Sequence, residues 1–284
     1  MRFTLRHLTR YSYSRPVFIE PHTIHLTPRQ DSSQHVLQHE LLITPAPTGR
    51  WDGIDAEGNP FTQVWFDGTA SEFLVEARTT VQTLRDNPFS FLLCDAACHI
   101  PPKLSPEEKT ALGACLRQTP YSITSRITRL AEKIRADSQG RELDFVLELN
   151  TWIFENIAKI IRREPGILSP EEVCNGKEGA CRDSAGLFIA CCRQVGIPAR
   201  FVSGYQAGDP ESADGHDLHA WAEAYIPGAG WIGLDPTHGL VVADRHVALA
   251  ASHDPELTAP TCGHFRGTGA DCTMTHELHL SADS

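Results

Sequence analysis

No uninterrupted apolar run in this chain approaches the roughly 18–20 residues needed to span a bilayer, so no membrane helix is expected. The opening MRFTLRHLTRY alternates charged and apolar residues and lacks the hydrophobic core of a secretory signal, which makes the cytoplasm the expected compartment. A basic excess is missing too: 25 Lys and Arg stand against 36 Asp and Glu, for a formal net charge of −11. A sequence-independent nucleic-acid binder needs a basic face to displace counterions, and that class is set aside. The nine cysteines are an odd number, which excludes a fully paired disulfide scaffold for a monomer. In a reducing compartment most are expected as thiols, and a buried free Cys behaves as a small hydrophobe. No EF-hand-like loop or clustered Asp run is present, so calcium is not expected.

What is there is ordinary globular material. The 284 residues are 41% hydrophobic and 21% charged, enough for one or two buried cores. Residues 1–95 read as a β domain. Arg2–Leu5, Thr9–Tyr13 and Ile24–Thr27 alternate, His39–Thr44 stops at Pro45-Ala46-Pro47, and turn residues Glu57–Pro60 precede Phe61–Phe66 and then Phe73–Thr83. Short strands between turns suggest a small antiparallel sheet or sandwich. A Pro- and small-residue-rich stretch begins at Asp86, and 96–124 is read as a linker. Residues 125–284 form the second domain. Its periodicity is helical from Ser125 to Asp137 and from Glu142 to about Arg163, where Leu143, Val146, Leu149, Ile153 and Ile157 make one apolar stripe.

The chemistry is concentrated in three segments. Gly176-Lys-Glu-Gly179-Ala180-Cys181-Arg182-Asp183 is a glycine-containing loop running into a helix. Ala185, Phe188, Cys192 and Val195 mark that helix's buried face, and Gly196 and Pro198 its stop. This places Cys181 at a helix N-terminus, where the dipole and free N–H groups favour thiolate over thiol. Asp183 suits the same dipole as a helix-start stabiliser. Two strands follow, Leu218–Tyr225 and Trp231–Thr237, joined by the turn Pro227–Gly230. Such a hairpin can bring His219 and Asp235 together at one end. An imidazole beside Cys181 takes the thiol proton, and a carboxylate on the other ring nitrogen holds the tautomer.

The pattern GxCxD[SA], then HAW in a strand, then GWxxxDPT resembles the bacterial transglutaminase-like superfamily. That resemblance implies an α+β fold: an antiparallel β domain followed by a papain-like core whose nucleophile, at a helix N-terminus, packs on an antiparallel sheet. It maps the Cys-His-Asp set onto Cys181, His219 and Asp235. Arg6–Tyr13, Asp55–Pro60 and Phe73–Ala77 resemble the accompanying N-terminal β domain, and Gly196–Tyr205 and Arg245–Ala250 the segments flanking the hairpin. Two positions depart from the pattern. His238 stands where the family commonly has Asn, and Leu218 where a small polar residue is common.

The resemblance implies thiol-dependent acyl transfer or hydrolysis on a peptide, protein or γ-glutamyl-type amide, without a cofactor. Its alternative is a non-catalytic scaffold of the same fold. Asn175 is a candidate oxyanion donor, with the Cys181 N–H as another, and Tyr205 and Trp221 are candidate walls of a substrate cleft. Two further Cys/His groups, Cys94–Cys98–His99 and the tail's Cys262, His264, Cys272, His276 and His279, have the residue types but not the spacing of common zinc sites, and no metal is expected.

Overall fold

The computed structural model describes residues 1–118, 124–207 and 218–283. The first third is β: β1 (Arg2–Ile19), β2 (His22–Ile24), β3 (Gln34–Thr44), β4 (Gly49–Ile54), β5 (Pro60–Trp65) and β6 (Ala70–Thr83). The alternations at Arg2–Leu5 and Thr9–Tyr13 belong to one strand, since β1 runs unbroken for 18 residues. Strands β1, β6 and β3 neighbour one another in one antiparallel sheet, and β2, β5 and β4 in a second.

The expected linker 96–124 is partly helical. Helices α1 (Pro106–Ala111) and α2 (Gly113–Leu116) lie within it, and its residues 119–123 are outside those described. The cause is a capping box: Ser105 Oγ accepts from the Glu108 N–H while the Glu108 carboxylate accepts from the Ser105 N–H. Helix α3 (Ser125–Asp137) has its expected bounds, but α4 (Glu142–Asn156) stops short of Arg163. Beyond it the backbone turns extended, because the Ala158 N–H bonds Lys177 O and the Ile160 N–H bonds Gly179 O. These contacts join β7 (Ala158–Lys159) in parallel to β8 (Glu178–Gly179), on either side of α5 (Pro170–Gly176).

Helix α6 (Cys181–Gln194) follows, then β9 (Ala199–Gln206), β10 (His219–Ile226), β11 (Gly230–Asp235), β12 (Leu240–Val241) and β13 (His246–Ser252). These five strands form an antiparallel sheet in the order β12-β11-β10-β9-β13. The last strands, β14 (Thr261–Cys262), β15 (Phe265–Arg266) and β16 (Cys272–Asp283), do not extend that sheet. β14 pairs with β2, while β15 and β16 pair with β1, so the tail assigned to the second domain completes the sheets of the first. An 18-residue strand with an open edge would expose a long row of unpaired backbone groups, and β16 covers it from Arg2 to Tyr13.

Two cores result. One packs Ile127, Leu149, Ile153, Leu187 and Phe188 from the helices against Ala220, Ala222, Ala224 and Leu234 of the five-stranded sheet. The other packs Phe3, Val17, Phe73 and Val75 against Tyr205, Val247 and Leu249 of that same sheet. The sheet is therefore held from two sides. Full burial of a Phe or Leu stabilises by about 1.5–3 kcal/mol, so both contacts are substantial.

One polar residue ties the helix start to the loops before it. Asp183 is fully buried and accepts from the Ala180 N–H, the Leu168 N–H and, with both oxygens, Arg162 Nη1, each at 2.8 Å. Gly179 permits this approach, because a Cβ there would lie 3.0 Å from that of Asp183. Arg162, which the helical periodicity placed within the helix ending near Arg163, is the counter-ion of this carboxylate. Asp183→Ala leaves a half-buried guanidinium and two N–H groups without their acceptor, and is expected to cost about 3–5 kcal/mol. Denaturant unfolding measures this, and a loss below about 1 kcal/mol would contradict the role.

Candidate active site

Cys181 is the first residue of α6 and is partly exposed. In the first turn its N–H has no intrahelical acceptor. The thiol is hydrogen-bonded to His219 and receives the backbone N–H groups of Ala220 and Arg182. His219 opens β10 opposite Gly204 of β9, and its Nε2 lies 2.8 Å from Asp235 Oδ2 at the end of β11. A carboxylate only accepts, so Nε2 carries the proton and Nδ1 is the atom left for Cys181. The three residues named from sequence are brought together in the order thiol, imidazole, carboxylate.

Two further imidazoles converge on the same carboxylate. His238 Nδ1 and His246 Nε2 lie 2.9 and 3.0 Å from Asp235 Oδ2, and the Thr237 N–H reaches Oδ1 at 3.1 Å. His246 was quoted from sequence only as part of a flanking segment and His238 only as a departure. The Asp-x-x-His spacing across a turn was the available sign for the second, and only the β11-β10-β9-β13 sheet order reveals the first.

The electrostatics follow from these bonds. Burial alone would raise the Asp235 carboxyl, but hydrogen bonds from His219, His238 and His246 hold it well below the usual carboxylate range. Burial would lower His219, yet its bonds to Asp235 and Cys181 and their charges raise it to about 9. Burial likewise opposes ionisation of Cys181, and the His219 hydrogen bond and charge with two backbone N–H groups bring the thiol below its ordinary value. His246 is held low by burial despite its bond to Asp235, and acts as a neutral donor.

Three candidate substrate contacts are not where the sequence reading put them. Tyr205 is fully buried, with its hydroxyl 3.0 Å from His7 Nδ1, so it belongs to the contact between the β sheets and cannot line a cleft. Trp221 is 1% exposed and packs beside His219, ring centroids 6.2 Å apart, and edge-on to His246 at 5.2 Å. It walls the imidazole, not substrate. Gly204 makes room for it, since a Cβ there would come within 2.6 Å of the indole. Asn175 is exposed in the last turn of α5, before the left-handed Lys177, and no hydrogen bond links it to Cys181. Among the described residues the tail's cysteines and histidines do not cluster closely enough to share a cation, whereas ligand atoms of His219, Asp235 and His238 lie within 4.8 Å of one another.

Residues 128–236 match the model of the transglutaminase-like superfamily, and residues 3–82 that of the bacterial transglutaminase-like N-terminal region. The core of the chain, residues 128–236, belongs to the transglutaminase-like superfamily. It is similar in fold to the crystal structure of a candidate cysteine protease from Cytophaga hutchinsonii, with a TM-score of 0.74 and 24% identity over 100% of this chain and 92% of that one. An uncharacterized protein from Mycobacterium tuberculosis is 27% identical over 281 residues, covering 92% of this chain and 87% of its own length. A protein-glutamine gamma-glutamyltransferase from Pseudomonas aeruginosa is 40% identical over 68 residues, which is 22% of this chain and 10% of that protein. No helix among the described residues is long and apolar enough to cross a membrane.

The raised imidazole and lowered thiol together set a pH dependence. Iodoacetamide labelling of Cys181 is expected to titrate clearly below the unperturbed value of about 8.5. Cys191 and Cys192, which burial pushes up, should stay unlabelled. A labelling midpoint for Cys181 at or above about 8.5 would contradict the arrangement.

Proposed function

We propose that the chain is a thiol-dependent hydrolase or acyltransferase acting on a peptide or γ-glutamyl-type amide, with Cys181 as nucleophile, His219 as its base and Asp235 as the group orienting that base. One observation carries this reading: a helix-terminal thiol hydrogen-bonded to an imidazole whose other nitrogen meets a buried carboxylate at 2.8 Å. A scaffold has no use for a shifted thiol and imidazole pair, whereas a nucleophile requires one.

In the proposed course the Cys181 thiolate attacks the amide carbonyl carbon. The carbonyl oxygen gathers negative charge beside the Cys181 N–H, which the helix start leaves without an intrahelical partner. Protonated His219 gives its Nδ1 proton to the departing amine, leaving a thioester on Cys181. Neutral His219 then takes a proton from the incoming acceptor, water or a primary amine, as it attacks the thioester, and the thiolate leaves. Asp235 keeps the ring proton on Nε2 and stabilises the imidazolium at the stages where His219 is charged. Water is the favoured acceptor in this reading. The cytoplasm is the proposed compartment, where the nine free cysteines would stay reduced.

The test is turnover of a glutaminyl peptide amide with and without a primary amine. Cys181→Ala should abolish it, and Asp235→Asn should lower kcat by about 10²–10⁴-fold with the fold intact. The wild-type rate should fall above pH about 9, where His219 loses the proton it gives to the leaving amine. A Cys181→Ala variant turning over at the wild-type rate would end the assignment.

A further inference from the structure

Three N–H groups compete for Asp235 Oδ2: those of His219, His238 and His246, at 2.8, 2.9 and 3.0 Å. One carboxylate oxygen offers two in-plane lone-pair directions, so a third donor is in excess. The other oxygen takes only the Thr237 N–H in this cluster. Orientation of His219 by Asp235 requires neither of the other rings. The excess is resolved if two of the three imidazoles present lone pairs, not protons, to a cation shared with the carboxylate.

The geometry selects which two. Ligand atoms of His219, Asp235 and His238 all lie within 4.8 Å of one another, a set that does not include His246. In a tetrahedral zinc site with bonds of about 2.0–2.2 Å, neighbouring ligand atoms stand about 3.3 Å apart. The two N···O separations of 2.8 and 2.9 Å therefore need to open by only about 0.4 Å for a cation to replace the protons between them. His246 and Thr237 would remain as donors to the ligating carboxylate, the kind of outer support that fixes metal ligands. Access exists on one side. The His238 side chain is 29% exposed and that of His219 10%, while Asp235 is buried. Two imidazoles and one carboxylate suit a borderline cation, not calcium or magnesium.

We propose that His219, Asp235 and His238 form a reversible site for a divalent cation of the zinc class, bound by His219 Nε2, Asp235 Oδ2 and His238 Nδ1 with solvent in the remaining position. Binding to a neutral imidazole moves its ring proton to the other nitrogen, and binding to an imidazolium releases one proton to solvent. In both cases His219 Nδ1 then carries a proton directed at Cys181 and cannot accept another. Giving that proton to the departing amine would leave an imidazolate, so cation binding blocks turnover, a consequence that rests on the function proposed above, whereas binding itself does not.

The experiment separates the two. Zinc chloride is titrated calorimetrically into the Cys181→Ala protein after its accessible thiols have been blocked with iodoacetamide, since Cys94, Cys98, Cys262 and Cys272 are exposed. One equivalent should bind, and Cys181→Ala/His238→Asn, with an unchanged near-ultraviolet dichroism spectrum, should bind at least about tenfold more weakly. Cobalt in place of zinc should give visible ligand-field absorption without a sulfur charge-transfer band. Absence of stoichiometric binding, or undiminished affinity in the His238 variant, would overturn the site. With Cys181 restored, the same zinc concentration should slow turnover of the glutaminyl peptide amide. Turnover that continues unslowed while zinc is bound would refute His219 as the proton donor to the amine and leave the site standing.

Discussion

The buried charge of Asp235 is the constraint on which the site depends. A carboxylate with no solvent exposure must be compensated by donors, and here four N–H groups supply that compensation. Its charge makes His219 basic, and a protonated His219 in turn makes Cys181 acidic. Each link is a hydrogen bond whose strength is raised by low local polarity. The loss of one donor is therefore felt at the thiol, two residues away in the chain of contacts.

The fold serves this by fixing two positions separately. The β10–β11 hairpin sets His219 against Asp235, with the Trp221 indole packed beside the ring and Gly204 leaving space for it. Asp183 fixes the other half by clamping Ala180, Leu168 and Arg162, so the residue before Cys181 is held by the same carboxylate that stabilises the helix start. The N-terminal sheets then brace the central sheet from behind through Tyr205, Val247 and Leu249. That brace explains why the last strand returns to β1. The two halves are stapled by both ends of the chain as well as by a shared core.

Much of this was legible in the residues. The glycine loop before Cys181 and the apolar stripe after it located a helix start, and the His219 and Asp235 strands flank a turn whose chemistry is explicit. Helix α3 fell where its periodicity placed it. What could not be read is long-range. Arg162 follows a helical stripe, and only the parallel pairing of Ala158 with Glu178 shows that the helix has ended. Ser105-Pro106-Glu107-Glu108 did carry a capping signature, obscured by the prolines before it. Tyr205 and Trp221 alternate as strand aromatics do, and alternation cannot say which face another sheet will cover. His246 is eleven residues from Asp235, and only the three-dimensional sheet arrangement brings it to the carboxylate.

The most direct test of the central claim, an assembled and activated thiol, is reaction with a glutaminyl or peptidyl chloromethyl ketone followed by intact-mass measurement and peptide mapping. The account predicts a single adduct, on Cys181, that disappears in His219→Ala. Slow adducts scattered over several of the nine cysteines, with no dependence on His219, would contradict it.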